Sequence, residues 1–268
     1  MILLLIDVGN TRVKWTRLAD GRMGKQHAVP HTTWEDRKLA RRVIGRGWAD
    51  PDSRILVSSV ASDDVNARLR SAAVAAGAPE PEFVAVTRSA AGVTTDYLEP
   101  WRLGVDRFLA AIGAHHLASG QPVCVASAGT ALTLDLVDGR GRHRGGVIVP
   151  GPGLMVESLL SNTQGIRRRA RGGRLGGGGF FARTTRAAIG RGALYSSAAV
   201  IDRAIEEARV LVGQRPLLLL TGGGAEAIKP LLLNAAVNIP ELVLHGLAVW
   251  AKQTPRSTAG RPRRSRTA

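Results

Sequence analysis

One structural phrase occurs twice in this chain, roughly 120 residues apart, and that repetition restricts its fold more than any other feature. In the first copy the apolar run Ile2 to Ile6 meets the turn Asp7-Val8-Gly9-Asn10-Thr11. Arg12 to Leu18 then alternates, and Asp20-Gly21 supplies a hairpin turn. In the second copy the run Pro122 to Ala126 meets Ser127-Ala128-Gly129-Thr130, one residue shorter. Ala131 to Val137 alternates, and Asp138-Gly139 turns the chain. The likeness is one of architecture, since few residues match. It predicts an α/β protein of two similar lobes, each a mixed five-stranded sheet with flanking helices, with a cleft between them.

The intervening segments extend both copies. Residues 23–29 predict a third strand, Trp34 to Ile44 a helix and Arg54 to Ser58 a strand. A helix over Asp63 to Ala76 is expected to be capped by Ser62. A strand at Glu82 to Val86 and a helix at Leu103 to Leu117 follow. After the repeat come a strand at His143 to Val149, a helix from Gly151 to Leu160 and a Gly/Arg-rich loop from Gly165 to Phe180. Thr184 to Ala208 predicts a long helix broken near Gly190 to Gly192. Pro216 to Leu220 reads as a buried strand, Thr221 to Gly224 as a tight turn, Ala225 to Leu233 as a helix, and Leu242 to Trp250 as a last helix or strand-helix. The expected division is an N-terminal lobe over 1–118, a C-terminal lobe over 119–250 and a basic, disordered tail over 251–268.

Composition narrows the partners. Hydrophobic residues make up 44 % of the 268 and aromatics 4 %, so the core must be aliphatic and alanine-rich. The single cysteine, Cys124, lies in an apolar run, excludes an internal disulfide and suits a cytoplasmic protein. The apolar start reaches Asp7 too soon for a signal peptide. Leu231 to Trp250 is too interrupted to span a membrane. A net charge of +16 favours polyanions, concentrated in an acid-free stretch from Ser158 to Ile201 and in the tail. No nucleic-acid recognition module accompanies it, so nucleic acid is not the expected partner.

The chemistry-bearing residues sit at the repeated turns. Glycine lets backbone N–H groups and the Thr11 or Thr130 hydroxyl surround phosphate oxygens. Asp7 at a strand end suits Mg²⁺, directly or through water. Lys14 either reaches a phosphate or is a solvated lysine. Two facing hairpins would clamp a polyphosphate from both sides. Gly104-Val105-Asp106-Arg107 opens an apolar helix. Asp106 is the candidate general base for an alcohol, and the planar fork of Arg107 suits a substrate carboxylate. Gly145-Gly146 and Pro150-Gly151-Pro152-Gly153 permit close approach, and Thr221-Gly222-Gly223-Gly224 reads as a nucleotide-side loop. His115 and His116 have no metal-ligand spacing around them, and Trp101 reads equally as core or as a substrate wall.

Taken together, Asp7 to Thr11, Tyr97, Gly104 to Arg107, Gly129-Thr130-Ala131, Gly145-Gly146, Pro150-Gly151, Thr185 and Thr221 to Gly223 resemble the type III pantothenate kinases of the actin, Hsp70 and sugar kinase superfamily. The resemblance runs from residue 2 to about residue 250. It implies the actin-like fold in both lobes and phosphorylation of pantothenate to 4'-phosphopantothenate, the first step of coenzyme A synthesis, with MgATP. It implies homodimers whose pantothenate sites lie at or near the subunit interface. By motif, Asp106 is the proton acceptor, and Tyr97, Gly104, Val105, Asp106, Arg107 and Thr185 line the pantothenate site. Asp7, Val8, Gly9, Asn10, Thr11, Arg12, Val13, Lys14, Gly129, Thr130, Gly222 and Gly223 hold ATP. One departure stands out: Ser127 occupies the place of an aspartate associated with K⁺ or NH₄⁺, and a hydroxyl is a weaker cation ligand than a carboxylate. The alternatives are a kinase-related regulatory protein affecting gene expression, or a kinase of the same scaffold for another hydroxy acid.

Overall fold

The computed structural model describes residues 2–30, 40–45, 48, 50–170 and 179–254. Strand β1 (Ile2–Val8) is apolar almost throughout because it lies inside a sheet, antiparallel to β2 (Arg12–Ala19) and parallel to β5 (Arg54–Ser59). Asp20 and Gly21 take φ of 50° and 76°, the left-handed pair that a tight primed hairpin turn requires. The third strand expected over 23–29 is in two pieces, β3 (Arg22–Met23) and β4 (His27–Pro30), both paired to β2. Between them the Thr16 hydroxyl donates to the Gly24 carbonyl at 2.8 Å, taking an acceptor out of the ladder. Helix α1 (Asp63–Ala75) crosses over from β5 to the parallel strand β6 (Pro81–Phe83). The sheet order is β3-β2-β1-β5-β6, with β4 also on β2.

The chain next enters a second sheet through two short strands, β7 (Ser89–Ala90) and β8 (Val93–Thr95), and returns as helix α2 (Val105–Ala118). The second repeat then forms β9 (Val123–Ala128), β10 (Ala131–Val137) and β11 (Arg142–Pro150). Helices α3 (Pro152–Asn162), α4 (Gln164–Arg169) and α5 (Thr185–Val212) follow. Strand β12 (Leu217–Thr221), the short helix α6 (Ala225–Ile228), β13 (Val237–Asn238) and helix α7 (Leu242–Gln253) complete the fold. The order is β13-β12-β9-β10-β11-β8-β7. Among the described residues the two sheets therefore hold six and seven strands, more than the five expected, because strands of two or three residues extend their edges.

Other local expectations shift. The long helix is unbroken at Gly190 and Gly192. Two glycines cost only about 2 kcal/mol of helix propensity, which the packing of Ile201 and Ile205 offsets. Ser62 occupies the cap position of α1 without a side-chain capping bond. Gln164–Arg169 is helical where a loop was expected. The helix predicted over 34–44 lies mostly outside the described residues, and Ala40–Ile44 forms a π-helical turn. The tail beyond 254 and residues 171–178 also lie outside them.

The core is layered. One face of the first sheet packs Leu4, Ile6, Ile55 and Val57 against Leu69 and Ala72 of α1. Its other face packs Leu3, Leu5 and Leu56 onto α2 and α7, which also receive Val123, Val125 and Val137 of the second sheet. The far face of the second sheet packs Leu132, Leu134 and Leu220 on α5. Helices α2 and α7 thus lie between the sheets. They cross at Gly113 and Gly246, where a Cβ on Gly113 would stand 2.6 Å from the Leu242 carbonyl. This crossing holds the first turn of α2 at the junction of the two sheets.

Candidate active site

Both repeated turns are closed by their own glycine. The Gly9 N–H donates to the Arg12 carbonyl at 3.0 Å, and the Gly129 N–H to the Ala131 carbonyl at 2.9 Å. Both tips are exposed, and they face one another: the hydroxyl oxygens of Thr11 and Thr130 are 3.2 Å apart. The second turn is buttressed by glycine backbone. A Cβ on Gly151 would lie 2.8 Å from the Thr130 carbonyl, and one on Gly222, at φ 89°, 2.7 Å from the Ala128 carbonyl carbon. The close approach read into Pro150-Gly151 is therefore made by the turn itself, and the loop at Gly222 packs against the same turn.

Two carboxylates flank this junction. Asp7, on the central strand, has Lys14 opposite on β2 and Ser58 opposite on β5. Burial pushes its pKa up to about 6; the Lys14 charge opposes this and the Asp106 charge adds to it. Asp106 sits in the first turn of α2, where its Oδ1 accepts the Arg107 N–H at 2.9 Å. Burial raises its pKa as well, against the pull of Arg107 and with a further push from Asp135. A buried carboxyl with a raised pKa is a stronger base once ionised, as proton abstraction from an alcohol needs.

Arg107 differs from its sequence reading. Its guanidinium is buried and engaged: Nε donates to Asp135 Oδ2 at 2.9 Å, Nη2 to Asp135 Oδ1 at 2.6 Å and Nη1 to the Tyr97 hydroxyl at 2.9 Å. The fork that was assigned to a substrate carboxylate is occupied by a carboxylate of the protein. His143, fully buried, places Nε2 2.8 Å from Asp135 Oδ1 and Nδ1 3.1 Å from the Thr95 hydroxyl. Gly146, opposite Asp135 in register, is needed here: a Cβ would fall 2.5 Å from Arg107 Nη2 and 2.6 Å from Asp135 Oδ1. Sequence reasoning missed His143, and it read Asp135 only as part of the second hairpin. The available signal was an acid between two leucines on a mostly apolar strand, with a Gly-Gly pair on the strand that follows.

The remaining candidates divide. Asn10 and Arg12 are exposed at the first turn, whereas Val8 and Val13 are core residues whose side chains are out of a ligand's reach. Gly104 caps α2 and Val105 is buried beneath it. Tyr97 joins Arg107, but Thr185 begins α5 and makes no described hydrogen bond to residues 97–107. Ser127 is half-buried on β9, beside Thr133 and Thr221 on the neighbouring strands. Trp101 is exposed on a short 3₁₀ turn, which removes it from the core. Among the described residues no cluster of three or more His, Cys, Asp or Glu could hold a metal by itself, and no helix is long and apolar enough to cross a membrane.

Residues 3–207 match the family model of type III pantothenate kinases. A type III pantothenate kinase of Herminiimonas arsenicoxydans is 38 % identical over 257 residues, covering 94 % of this chain and 98 % of that one. That of Nitrosococcus oceani is 33 % identical over 259 residues, covering 94 % and 95 %. Among solved structures, a conserved Baf family protein from Campylobacter jejuni superposes with a TM-score of 0.54 at 18 % identity, covering 93 % and 97 %. Ethanolamine utilization protein EutJ from Carboxydothermus hydrogenoformans gives 0.50 at 11 %, covering 93 % and 90 %. The fold is thus the two-lobed actin-like one.

Proposed function

The chain belongs to the type III pantothenate kinases, and from that premise we propose that it transfers a phosphoryl group from ATP to the primary hydroxyl of pantothenate, opening coenzyme A synthesis, with the following division of labour. The two glycine turns hold the polyphosphate between them through N–H groups and the Thr11 and Thr130 hydroxyls. The 3.2 Å approach of those hydroxyls is the observation that most supports this reading. Lys14 adds positive charge beside Asp7, and Gly222 and Gly223 lie on the adenosine side. Magnesium fits Asp7: a lone carboxylate at a strand end suits an ion that keeps its waters and takes its other ligands from phosphates. When bound, it neutralises phosphate charge.

Asp106 accepts the hydroxyl proton and aligns the oxygen for in-line attack. Tyr97, Gly104 and Val105 form the acceptor wall, with Arg107 as its rigid backing rather than its carboxylate clamp. Thr185 belongs to the same site if a second copy supplies it. A homodimer is supported by apolar side chains exposed on one segment of the chain: Val147, Ile148, Leu154, Leu159, Phe180 and Phe181. Ser127 gives a monovalent cation a hydroxyl in place of a carboxylate, so turnover is expected to respond weakly to K⁺. The reaction is assigned to the cytoplasm, where ATP is made available.

ATP consumption measured with and without pantothenate tests the reading, with 4'-phosphopantothenate identified by mass. Asp106→Asn should fold normally and lose on the order of 10²- to 10⁴-fold in kcat. Near-normal turnover in that variant would remove Asp106 from its role.

A further inference from the structure

The buried polar groups behind the acceptor wall form a closed circuit. The Tyr97 N–H donates to the Thr95 hydroxyl oxygen at 3.2 Å, and that hydroxyl faces His143 Nδ1. His143 Nε2 reaches Asp135, Asp135 holds both edge nitrogens of Arg107, and Arg107 returns to the Tyr97 hydroxyl. With Thr95 donating to Nδ1, Nε2 carries the proton and donates to Asp135, so each member has a defined role. Tyr97 is thereby held at its main chain and at its hydroxyl. The Arg107 guanidinium also lies 5.6 Å from the centre of its ring.

We infer that Asp135 and His143 are positioning residues for the acceptor alcohol, holding Arg107 and Tyr97 as a fixed wall and keeping the guanidinium away from Asp106. This rests on the pantothenate kinase reading above. Three observations carry it. Arg107, Asp135 and His143 are all at least nine-tenths buried, so the guanidinium has no solvent alternative to its partner. Arg107 directly follows Asp106 in the first turn of α2 and its charge already acts on that carboxyl, so a guanidinium released from Asp135 would be free to turn toward the proposed base. Finally, Asp135 lies on the strand that leaves the Gly129-Thr130 turn. The ion pair therefore ties the helix carrying the acceptor base to the hairpin proposed to hold the donor phosphates. Neither Asp135 nor His143 contacts the turn tips, so their loss should leave nucleotide binding largely alone.

The test is steady-state kinetics on the full chain, with pantothenate and ATP varied separately. Wild-type protein without pantothenate-dependent turnover would sink the kinase reading before any variant is made. Given an active wild type, Asp135→Asn should raise the KM for pantothenate about tenfold to a hundredfold and lower kcat, with the KM for ATP within about twofold. His143→Ala should show the same split more weakly, and His143→Gln, which restores a donor toward Asp135, should recover part of it. Unchanged constants in folded Asp135→Asn, or equal increases for both substrates, would overturn the inference. If Asp135→Asn fails to fold, the two His143 variants decide: the pantothenate-selective loss and its rescue by glutamine support the assignment, and their absence removes it.

Discussion

The first turn, Gly9 to Thr11, follows a strand that carries a buried carboxylate, Asp7, two residues before its glycine. The second, Gly129-Thr130, follows a strand with Ser127 at the same spacing, and its carboxylate, Asp135, lies on the outgoing strand instead. Each turn is closed by its glycine N–H on the first carbonyl of the outgoing strand, the second one residue shorter, and the two meet through Thr11 and Thr130. They differ in what their acid faces. Burial and the Asp106 charge hold the Asp7 pKa near 6 against the pull of Lys14 and Ser58, whereas Asp135 is held in a two-point ion pair with Arg107. One backbone design therefore serves two ends: the carboxylate proposed to hold magnesium in one lobe, and a carboxylate committed to an ion pair in the other.

The sharpest way to break this contrast is to remove each side chain in turn. Asp7→Asn should lower kcat/KM on the order of a thousandfold, the scale of losing one dominant electrostatic contact in a transition state. Ser127→Ala should cost a few-fold at most. Comparable losses from both would mean that the turns share the ion after all.

The same substitution should have the opposite effect on stability. In the unfolded chain Asp7 titrates near 3.8, and in the folded protein near 6. Its contribution is fully favourable below the lower value and is lost as pH rises through the upper one, because folding then buries a charge. Asp7→Asn escapes that loss, so it should be more stable than wild type at pH 8 by up to roughly 3 kcal/mol and gain less than about 1 kcal/mol near pH 4. Urea denaturation at the two pH values checks the sign. A variant less stable than wild type at pH 8 alone would show that Lys14 needs the charge more than burial penalises it.

For the second lobe the corresponding test is Gly146→Ala. The added methyl would meet Arg107, Asp135 and the Leu134 carbonyl together, so thermal melting should show a loss of about 1–3 kcal/mol. An unchanged melt would mean that the ion pair tolerates displacement and is no rigid backing.

How much of this was legible follows from the range of the interactions involved. Asp20-Gly21 announced its hairpin because the turn is decided by two adjacent residues. The facing turns were foreseen because their grammar recurs. The Arg107 ion pair was not foreseen because adjacency in sequence drew attention to Asp106. The partner of Arg107 is 28 residues away, and His143 lies on a third strand. Strands β7 and β8 were missed because two or three residues carry no periodic signal; they are strands only because β11 offers an edge.

The smallest expected stability change separates fold from ligand at the first turn. Gly9 lies outside the positive-φ set, and the nearest atom to an added Cβ is the Arg12 carbonyl oxygen at 3.4 Å, an ordinary contact. Gly9→Ala should therefore stay within about 1 kcal/mol of wild type in stability. A phosphate lying against the turn needs the space that the methyl would take, so the KM for ATP should still rise about tenfold, with the KM for pantothenate little changed. Gly222→Ala should behave the other way, losing stability first, because at φ 89° its methyl would collide with the Ala128 backbone. If Gly9→Ala bound nucleotide normally, the glycine of the first turn would be an aid to chain reversal alone, and the proposed phosphate contact would have to lie on the Thr11 side.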